Sequence, residues 1–126
     1  MNVEGDDLPG ESGAADVPRG ATVAIVDDHE AVRLGLRAAC RDAGYDVVAD
    51  AAGVAELLEA LDGRSCDVVV LDLSLGDGTA VTDNVRAVLA TGSAVLVHSI
   101  ADRVAAVREA LAAGAAGVIP KASPMS

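Results

Sequence analysis

A short apolar run that ends in a carboxylate, Val68–Asp72, constrains the fold of this chain more than any other stretch. Four consecutive apolar residues, three of them valines, are typical of a strand that is buried on both faces. An ionised carboxylate is costly to bury unless a partner compensates it, so Asp72 belongs at the carboxyl end of that strand. In open α/β sheets, this edge is where ligands bind.

Two further apolar runs end in the same way. Val23–Val26 leads into Asp27 and Asp28, and Ala94–His98 leads into Ser99. Because the carboxyl ends of parallel strands meet at one edge of a sheet, these oxygen-bearing side chains are predicted to converge on a single site. His29, in the turn after the two acids, is predicted to be solvated, and His98 is predicted to pack within the sheet.

The stretches between these runs carry the apolar spacing of amphipathic helices, and the first of them has Val32, Leu36, Ala39 and Cys40 on one face. Gly44 and Gly114 are predicted to end the first and the last of these helices, and Asp102 is predicted to cap the last at its start. This alternation predicts an α/β fold with a doubly wound parallel sheet and helices on both faces. Five strands are predicted, at Thr22–Val26, Tyr45–Ala49, Val68–Asp72, Ala94–Ser99 and Gly117–Ile119.

Composition excludes several classes of function. The formal net charge is −11 and Tyr45 is the only aromatic residue, which argues against direct nucleic-acid binding and leaves no base-stacking platform. No apolar run reaches transmembrane length, and the acidic start is unlike a signal peptide. Cys40 and Cys66 form neither a disulfide framework nor a metal motif, so a reduced, cytoplasmic protein without membrane contact is expected.

The ends of the chain set the expected domain limits. Residues 1–20 are rich in Gly, Pro and acidic residues without periodicity, and we predict a disordered acidic tail followed by one domain over 21–126. Ser123 and Pro124 are a helix-start signature, and the sequence stops two residues later. We therefore expect a fragment truncated before or at a fifth helix, with an apolar strip exposed over the first and fifth strands.

The predicted site has the composition that phosphoryl transfer requires. Three carboxylates close together, Asp27, Asp28 and Asp72, repel one another and resist ionisation without a cation. Mg²⁺ fits best, since it accepts one or two carboxylates and keeps waters for a phosphoryl group. Ser99 and Lys121, the only lysine in the sequence, add a hydroxyl donor and an ammonium group beside the nucleophile.

The same residues carry a family resemblance. Ile25–Leu36 resembles the opening of a two-component response-regulator receiver domain, closest to the type found in FixJ/NarL/LuxR-like transcription factors. Val70–Leu73, Val97–Ser99 and Gly114–Lys121 resemble the later motifs of that family, in order and at suitable spacing. The resemblance spans Thr22 to the end and implies a flavodoxin-like sheet with strand order 2-1-3-4-5.

The resemblance also implies roles at the phosphorylation site. Asp72 would accept a phosphoryl group from the phosphohistidine of a sensor histidine kinase. Asp28 and Asp72 would ligate Mg²⁺ together with the backbone carbonyl of Ser74, and Asp27 would act mostly through a bound water. The chain would then be no enzyme, but a phosphoacceptor that assists its own phosphotransfer and dephosphorylation.

Ser99 and Lys121 are the residues through which the family responds to phosphorylation. Ser99 would hydrogen-bond the phosphoryl oxygens, Lys121 would pair with them, and the loop and helix after Ser99 would shift. The family further implies a homodimer through receiver faces and a transcription-regulator output domain beyond residue 126. Any contact with DNA would be made only through that missing domain.

Three positions depart from the family pattern. Val118 stands where an aromatic switch residue is usual, Ile100 follows Ser99 where a small residue is usual, and the Leu73–Gly78 loop lacks the common proline and is shorter. None of these changes removes a reacting group. They affect how the signal is read out more than whether Asp72 is modified.

Two alternative functions remain open at the level of sequence. One is a pseudo-receiver, an interaction module that is never phosphorylated; Ile100 and Val118 leave it open, although the acidic set, Ser99 and Lys121 are intact. The other is a haloacid-dehalogenase-like phosphatase, prompted by Asp77 in a Gly-Asp-Gly-Thr loop after the strand, although Asp77 itself is expected to have a loop and capping role. That family needs a second Asp two residues after its nucleophile, where Ser74 stands here.

Overall fold

A computed structural model describes residues 20–100 and 103–121, which form a parallel five-stranded sheet and four helices. The strands are β1 (Thr22–Val26), β2 (Asp46–Ala51), β3 (Val68–Asp72), β4 (Ala94–Ser99) and β5 (Gly117–Pro120). The helices are α1 (Glu30–Asp42), α2 (Val54–Leu61), α3 (Val81–Leu89) and α4 (Val104–Ala113). No helix in these two ranges is long and apolar enough to cross a membrane.

The strands lie in the order β2-β1-β3-β4-β5, and every neighbouring pair is parallel. The predicted doubly wound fold and strand order are therefore confirmed. β1, β3 and β4 have the predicted bounds at both ends. β2 starts one residue later than predicted because the backbone N–H of Tyr45 donates to Cys40 O at 2.9 Å and so belongs to the turn after α1.

One face of the sheet carries the larger apolar cluster. Because successive side chains of a strand point to opposite faces, alternate residues of β1, β3 and β4 meet three helices there. The buried strand residues of this cluster are Ala24, Val26, Ala51, Val69, Leu71, Val95 and Val97, and the helix residues are Val54, Leu57, Leu61, Val85, Val88 and Ala110. The helices on this face are α2, α3 and α4.

The opposite face is covered in part by α1. Leu36 of α1 packs against a smaller cluster that contains Val23, Ile25 and Val70. The exposed apolar strip predicted over the first strand is wrong, because Val23 and Ile25 are buried beneath α1. On the fifth strand Ile119 is half-buried and packs against the same cluster.

Helix ends follow the predicted glycines. Gly44 follows α1 with φ +91° and Gly114 ends α4 with φ +120°, a backbone conformation that L side chains rarely adopt. α4 begins at Val104 with Arg103 at its N-cap. The predicted cap at Asp102, the acidic tail up to residue 19 and the helix start at residues 123–124 lie outside the described residues.

Candidate functional site

Four neighbouring strands deliver the predicted polar residues to one edge of the sheet. Asp27 follows β1, Asp72 is the last residue of β3, Ser99 is the last residue of β4, and Lys121 follows β5. Because β1, β3, β4 and β5 are adjacent and parallel, their carboxyl ends lie side by side. The sequence-based expectation that these residues lie at one edge of the sheet agrees with this arrangement.

Lys121 joins the two most buried carboxylates of the site. Its ammonium nitrogen donates to Oδ1 of Asp72 at 3.0 Å and lies 3.5 Å from Oδ2 of Asp27, while Asp27 and Asp72 are only 0% and 2% exposed. Burial by itself lowers the pKa of Lys121. The hydrogen bond and charge of Asp72, with the charge of Asp27, outweigh burial and raise that pKa above its ordinary value.

Two buried carboxylate oxygens remain without a hydrogen bond. Within the described residues, Oδ2 of Asp27 and Oδ2 of Asp72 have no hydrogen-bond partner, and Asp27 Oδ2 has only the long ion pair with Lys121. A buried charged oxygen in this state costs several kcal/mol unless a cation or donor meets it. The two oxygens thus leave coordination capacity inside an acidic cluster.

The cluster has the donor set of a hard divalent cation. Asp27, Asp28, His29 and Asp72 each offer one ligand atom, and these atoms all lie within 4.8 Å of one another. Carboxylate oxygens are the ligands that Mg²⁺ prefers. The unsatisfied oxygens and this donor set fit the predicted ion, and Asp27, Asp28 and Asp72 are the carboxylates that could hold it.

His29 belongs to this cluster, although the sequence favoured a solvated turn residue. Its Nδ1 lies 2.9 Å from Oδ1 of Asp28 and 3.2 Å from Oδ1 of Asp27, and its backbone N–H donates to the same Asp27 oxygen at 2.8 Å. The imidazole is nevertheless 65% exposed, which agrees with the solvent exposure predicted for this turn residue. The signal that could have identified it is a histidine directly after two strand-end acids.

Ser74 touches the site through its backbone N–H and its hydroxyl. The N–H donates to Oδ1 of Asp72 at 3.1 Å, and the hydroxyl oxygen accepts from Nη1 of Arg103 at 2.8 Å. The metal contact predicted for the Ser74 carbonyl stays a prediction. Gly76 further along the loop donates its N–H to Oδ2 of Asp28 at 3.2 Å, so the loop backbone is tied to two of the three carboxylates.

Ser99 lies at this edge, and its hydroxyl bonds to the adjacent backbone. The side chain is buried, and Oγ donates to the carbonyl of Ile100 at 3.1 Å. The backbone N–H of Lys121 donates to the carbonyl of Ser99 at 2.8 Å and fixes the end of β5 against β4. Val118, at the usual aromatic position, is half-buried and packs against the larger apolar cluster.

His98 and Asp77, which the sequence also singled out, are accounted for by their local packing and hydrogen bonds. His98 is 7% exposed within the sheet as predicted, and burial followed by the charge of Lys121 lowers its pKa. Asp77 accepts from the hydroxyl and the N–H of Thr79 at 2.6 and 3.1 Å, and the hydroxyl bond lowers the pKa of that carboxyl. Asp77 therefore has the loop role that the sequence predicted, which weakens the phosphatase alternative.

Comparisons with known proteins agree with this architecture. The family model for the response regulator receiver domain matches residues 23–126. Transcriptional regulatory protein UhpA of Salmonella typhimurium is 36% identical over 101 residues, which cover 79% of this chain and 50% of that protein. The chain thus spans about half the length of the first curated relatives it matches.

Solved structures give the same result. A LuxR-family two-component response regulator from Aurantimonas sp. is 33% identical with a TM-score of 0.69, covering 82% of this chain and 76% of that one. A signal receiver domain assigned to NarL from Mycobacterium tuberculosis is also 33% identical, with a TM-score of 0.70 and coverage of 84% and 87%.

Proposed function

This chain belongs to the response regulator receiver domain family and is related to LuxR-family regulators, and from that premise we propose that Asp72 is its phosphoacceptor. The donor is the phosphohistidine of a sensor histidine kinase, and the setting is the cytoplasm. The observation that carries the proposal is that the two carboxylate oxygens of Asp72 have different surroundings. Oδ1 is held by Lys121 and Ser74, whereas Oδ2 is buried and has no hydrogen bond among the described residues.

The contacts to Oδ1 orient the carboxylate of Asp72 for nucleophilic attack. A carboxylate oxygen of Asp72 attacks the phosphorus atom, the phosphorus–nitrogen bond of the donor breaks, and the departing imidazole retains the electron pair and takes up a proton. The ammonium group of Lys121 and the N–H of Ser74 keep the carboxylate oriented during this displacement. One phosphoryl group is accepted for each chain, so the protein is a phosphoacceptor that assists its own reaction and no turnover enzyme.

Mg²⁺ is the cofactor that the acidic cluster fits. Asp27, Asp28 and Asp72 would hold it, the Ser74 carbonyl would complete the protein ligands, and Asp27 would act mostly through water. When bound, the ion neutralises the negative charge of the carboxylates and of the phosphoryl oxygens. Nδ1 of His29 already contacts two of these carboxylates.

Ser99 and Lys121 respond to the negative charge that the phosphoryl group adds to Asp72. A phosphoryl group on Asp72 offers Ser99 stronger acceptors than the Ile100 carbonyl to which its hydroxyl now donates. Reorientation of Ser99 moves the end of β4 and the segment before α4. With Val118 in place of a ring, this movement is read out by backbone and apolar packing. The resulting surface supports homodimer formation and transcriptional control through an output domain outside this sequence, which alone contacts DNA.

The test is incubation with Mg²⁺ and acetyl phosphate, followed by intact mass measurement. We expect the wild type to gain one phosphoryl group and Asp72→Asn to gain none. Asp77→Asn is the matched control, because Asp77 is an exposed acid of the same loop outside the metal cluster, and it should be phosphorylated like the wild type. Modification that persists in Asp72→Asn would contradict the proposal.

The pseudo-receiver alternative is distinguished by the same experiment. The observation that favours it is the hydrogen bond from the Ser99 hydroxyl to the Ile100 carbonyl. A folded wild type that remains unmodified at saturating Mg²⁺ would support this alternative. Steady hydrolysis of a phosphate ester would instead support the phosphatase.

A further inference from the structure

Arg103 lies beside the acidic site and makes a contact that none of the roles above uses. Its Nη1 donates to the hydroxyl of Ser74 at 2.8 Å, and the N–H of Ser74 donates to Oδ1 of Asp72 at 3.1 Å. The guanidinium group is therefore two hydrogen bonds away from the carboxylate that reacts. Arg103 directly precedes α4, and Ser74 lies in the loop after β3. The hydrogen bond between them therefore links two different segments beside the site.

The charge of Arg103 is not neutralised by a carboxylate in the described part of the chain. Arg33 and Arg37, by contrast, both pair with Asp50. Arg103 uses one of its N–H donors on a neutral hydroxyl, and a guanidinium has five. In a chain of formal net charge −11, Arg103 is a half-buried arginine at the edge of an acidic site, and it has no acidic partner among the described residues. Within the described residues, the guanidinium of Arg103 therefore keeps an uncompensated positive charge and several unused N–H donors.

An anionic phosphodonor needs such a charge. It must approach three carboxylates, Asp27, Asp28 and Asp72, which repel it. The ammonium of Lys121 is committed to Asp72 and Asp27, and the imidazole of His29 lies against Asp27 and Asp28. A planar guanidinium matches the oxygens of a phosphoryl group through two parallel hydrogen bonds.

We propose that Arg103 binds the phosphoryl oxygens of the incoming donor and positions the donor for attack by Asp72. This inference rests on the proposed function and adds a residue that determines how well the donor is captured. Arg103 acts on binding, while Asp72, Lys121 and the metal ligands act on bond formation. Ser74 holds the guanidinium in place through its hydroxyl.

The test measures the initial rate of Asp72 phosphorylation against acetyl phosphate concentration at fixed Mg²⁺, in Arg103→Gln, Arg103→Lys and Arg108→Gln. Arg108 is the matched control, because it is an exposed arginine of α4. We expect Arg103→Gln to raise the half-saturating concentration about three- to tenfold with little change in the maximal rate. Arg103→Lys should recover a large part of the loss, and Arg108→Gln should match the wild type.

Ser74→Ala gives an independent measurement. It removes the anchor but keeps the charge, so it should raise the half-saturating concentration less than Arg103→Gln does. Thermal unfolding midpoints of all variants report whether the fold is intact. If Arg103→Gln lowers only the maximal rate, matches the wild type, or is equalled by Arg108→Gln, the inference is wrong while the proposed function stands. If the wild type itself takes up no phosphoryl group, the proposed function fails and this inference fails with it.

Discussion

Lys121 and Asp72 are 49 positions apart, and a hydrogen bond of 3.0 Å between Lys121 Nζ and Asp72 Oδ1 joins the end of β5 to the end of β3. This contact engages one carboxylate oxygen of Asp72 and leaves Oδ2 buried without a hydrogen-bond partner within the described residues. The same ammonium group lies 3.5 Å from Asp27. One cation thus compensates two buried acids.

Replacing Lys121 by Met should destabilise the domain. The change leaves Asp27 and Asp72 without their shared cation, and we expect a loss of about 1–3 kcal/mol in the free energy of unfolding. The value is below that for a fully buried pair because water still reaches Lys121. Urea unfolding of the wild type and Lys121→Met at neutral pH measures it, and equal midpoints would show that Lys121 contributes no stability.

The stabilisation by Lys121 should depend on pH only in the alkaline range. The pKa of Lys121 is raised in the folded state above its ordinary value of 10.5, so the folded state binds this proton more tightly. Its contribution is therefore complete below the unfolded pKa and is lost as the pH rises through the folded pKa. The stability difference between the wild type and Lys121→Met should be constant near neutrality and shrink above about pH 10.5. A difference that shrinks between pH 6 and pH 9 would assign it to another group.

Mg²⁺ should raise the thermal stability of the wild type. A ligand that binds only the folded state at a hundred times its dissociation constant adds about 2.7 kcal/mol. Asp28→Asn removes a carboxylate of the cluster and should abolish most of the shift in melting temperature, whereas Asp77→Asn should keep it. A shift of equal size in all three proteins would indicate nonspecific ion binding.

His29→Ala should strengthen Mg²⁺ binding. The imidazole lies against Asp27 and Asp28 and competes with the ion for their oxygens. We expect the dissociation constant, measured by calorimetry, to fall about two- to fivefold, in line with the loss of about 0.5–1 kcal/mol of competing contacts. Weaker binding in His29→Ala would instead make the imidazole a ligand of the metal.

Gly114→Ala should be destabilising and Gly35→Ala should not. A Cβ on Gly114 would lie 2.6 Å from Cδ1 of Leu89, on a backbone with φ +120°. The expected loss is about 2 kcal/mol or more, from strain and displaced packing. Gly35 lies within α1 and a Cβ there meets nothing within 4 Å, so alanine should stabilise the fold by about 0.5–1 kcal/mol. Thermal melts of the two variants compare them directly, and a destabilised Gly35→Ala would contradict this explanation.

The strands and the convergence of the site were predictable because both follow from local pattern. Val68–Asp72 is apolar up to its last residue, a sequence that only a buried strand ending at a polar edge accommodates. Once three such runs are parallel neighbours, Asp27, Asp72 and Ser99 must share an edge. The less regular Tyr45–Ala49 run was placed less accurately, because a backbone bond from Tyr45 to the end of α1 decides where β2 begins.

The orientation of individual side chains was not predictable. The contact between Arg103 and Ser74 joins residues 29 positions apart, and neither residue carries a local signal for it. His29 was assigned to solvent because single exposed histidines usually are solvated, and only its contacts with Asp27 and Asp28 reveal a second environment. The inner face of α1 was predicted to include Ala39, which is exposed, because the helix meets the sheet mainly through Leu36 and Cys40.

The position of Lys121 makes the chemistry of Asp72 depend on local unfolding at the edge of the sheet. β5 has four residues and, among the described strands, only β4 as a neighbour, and its end is fixed by the bond from Lys121 N–H to the Ser99 carbonyl. Short edge strands open at a lower free energy than the core strands do. Each opening withdraws the ammonium group from Asp72. In the proposed function, the fraction of molecules able to accept a phosphoryl group is therefore an equilibrium property of β5, and amide hydrogen exchange at residues 117–121 measures the opening.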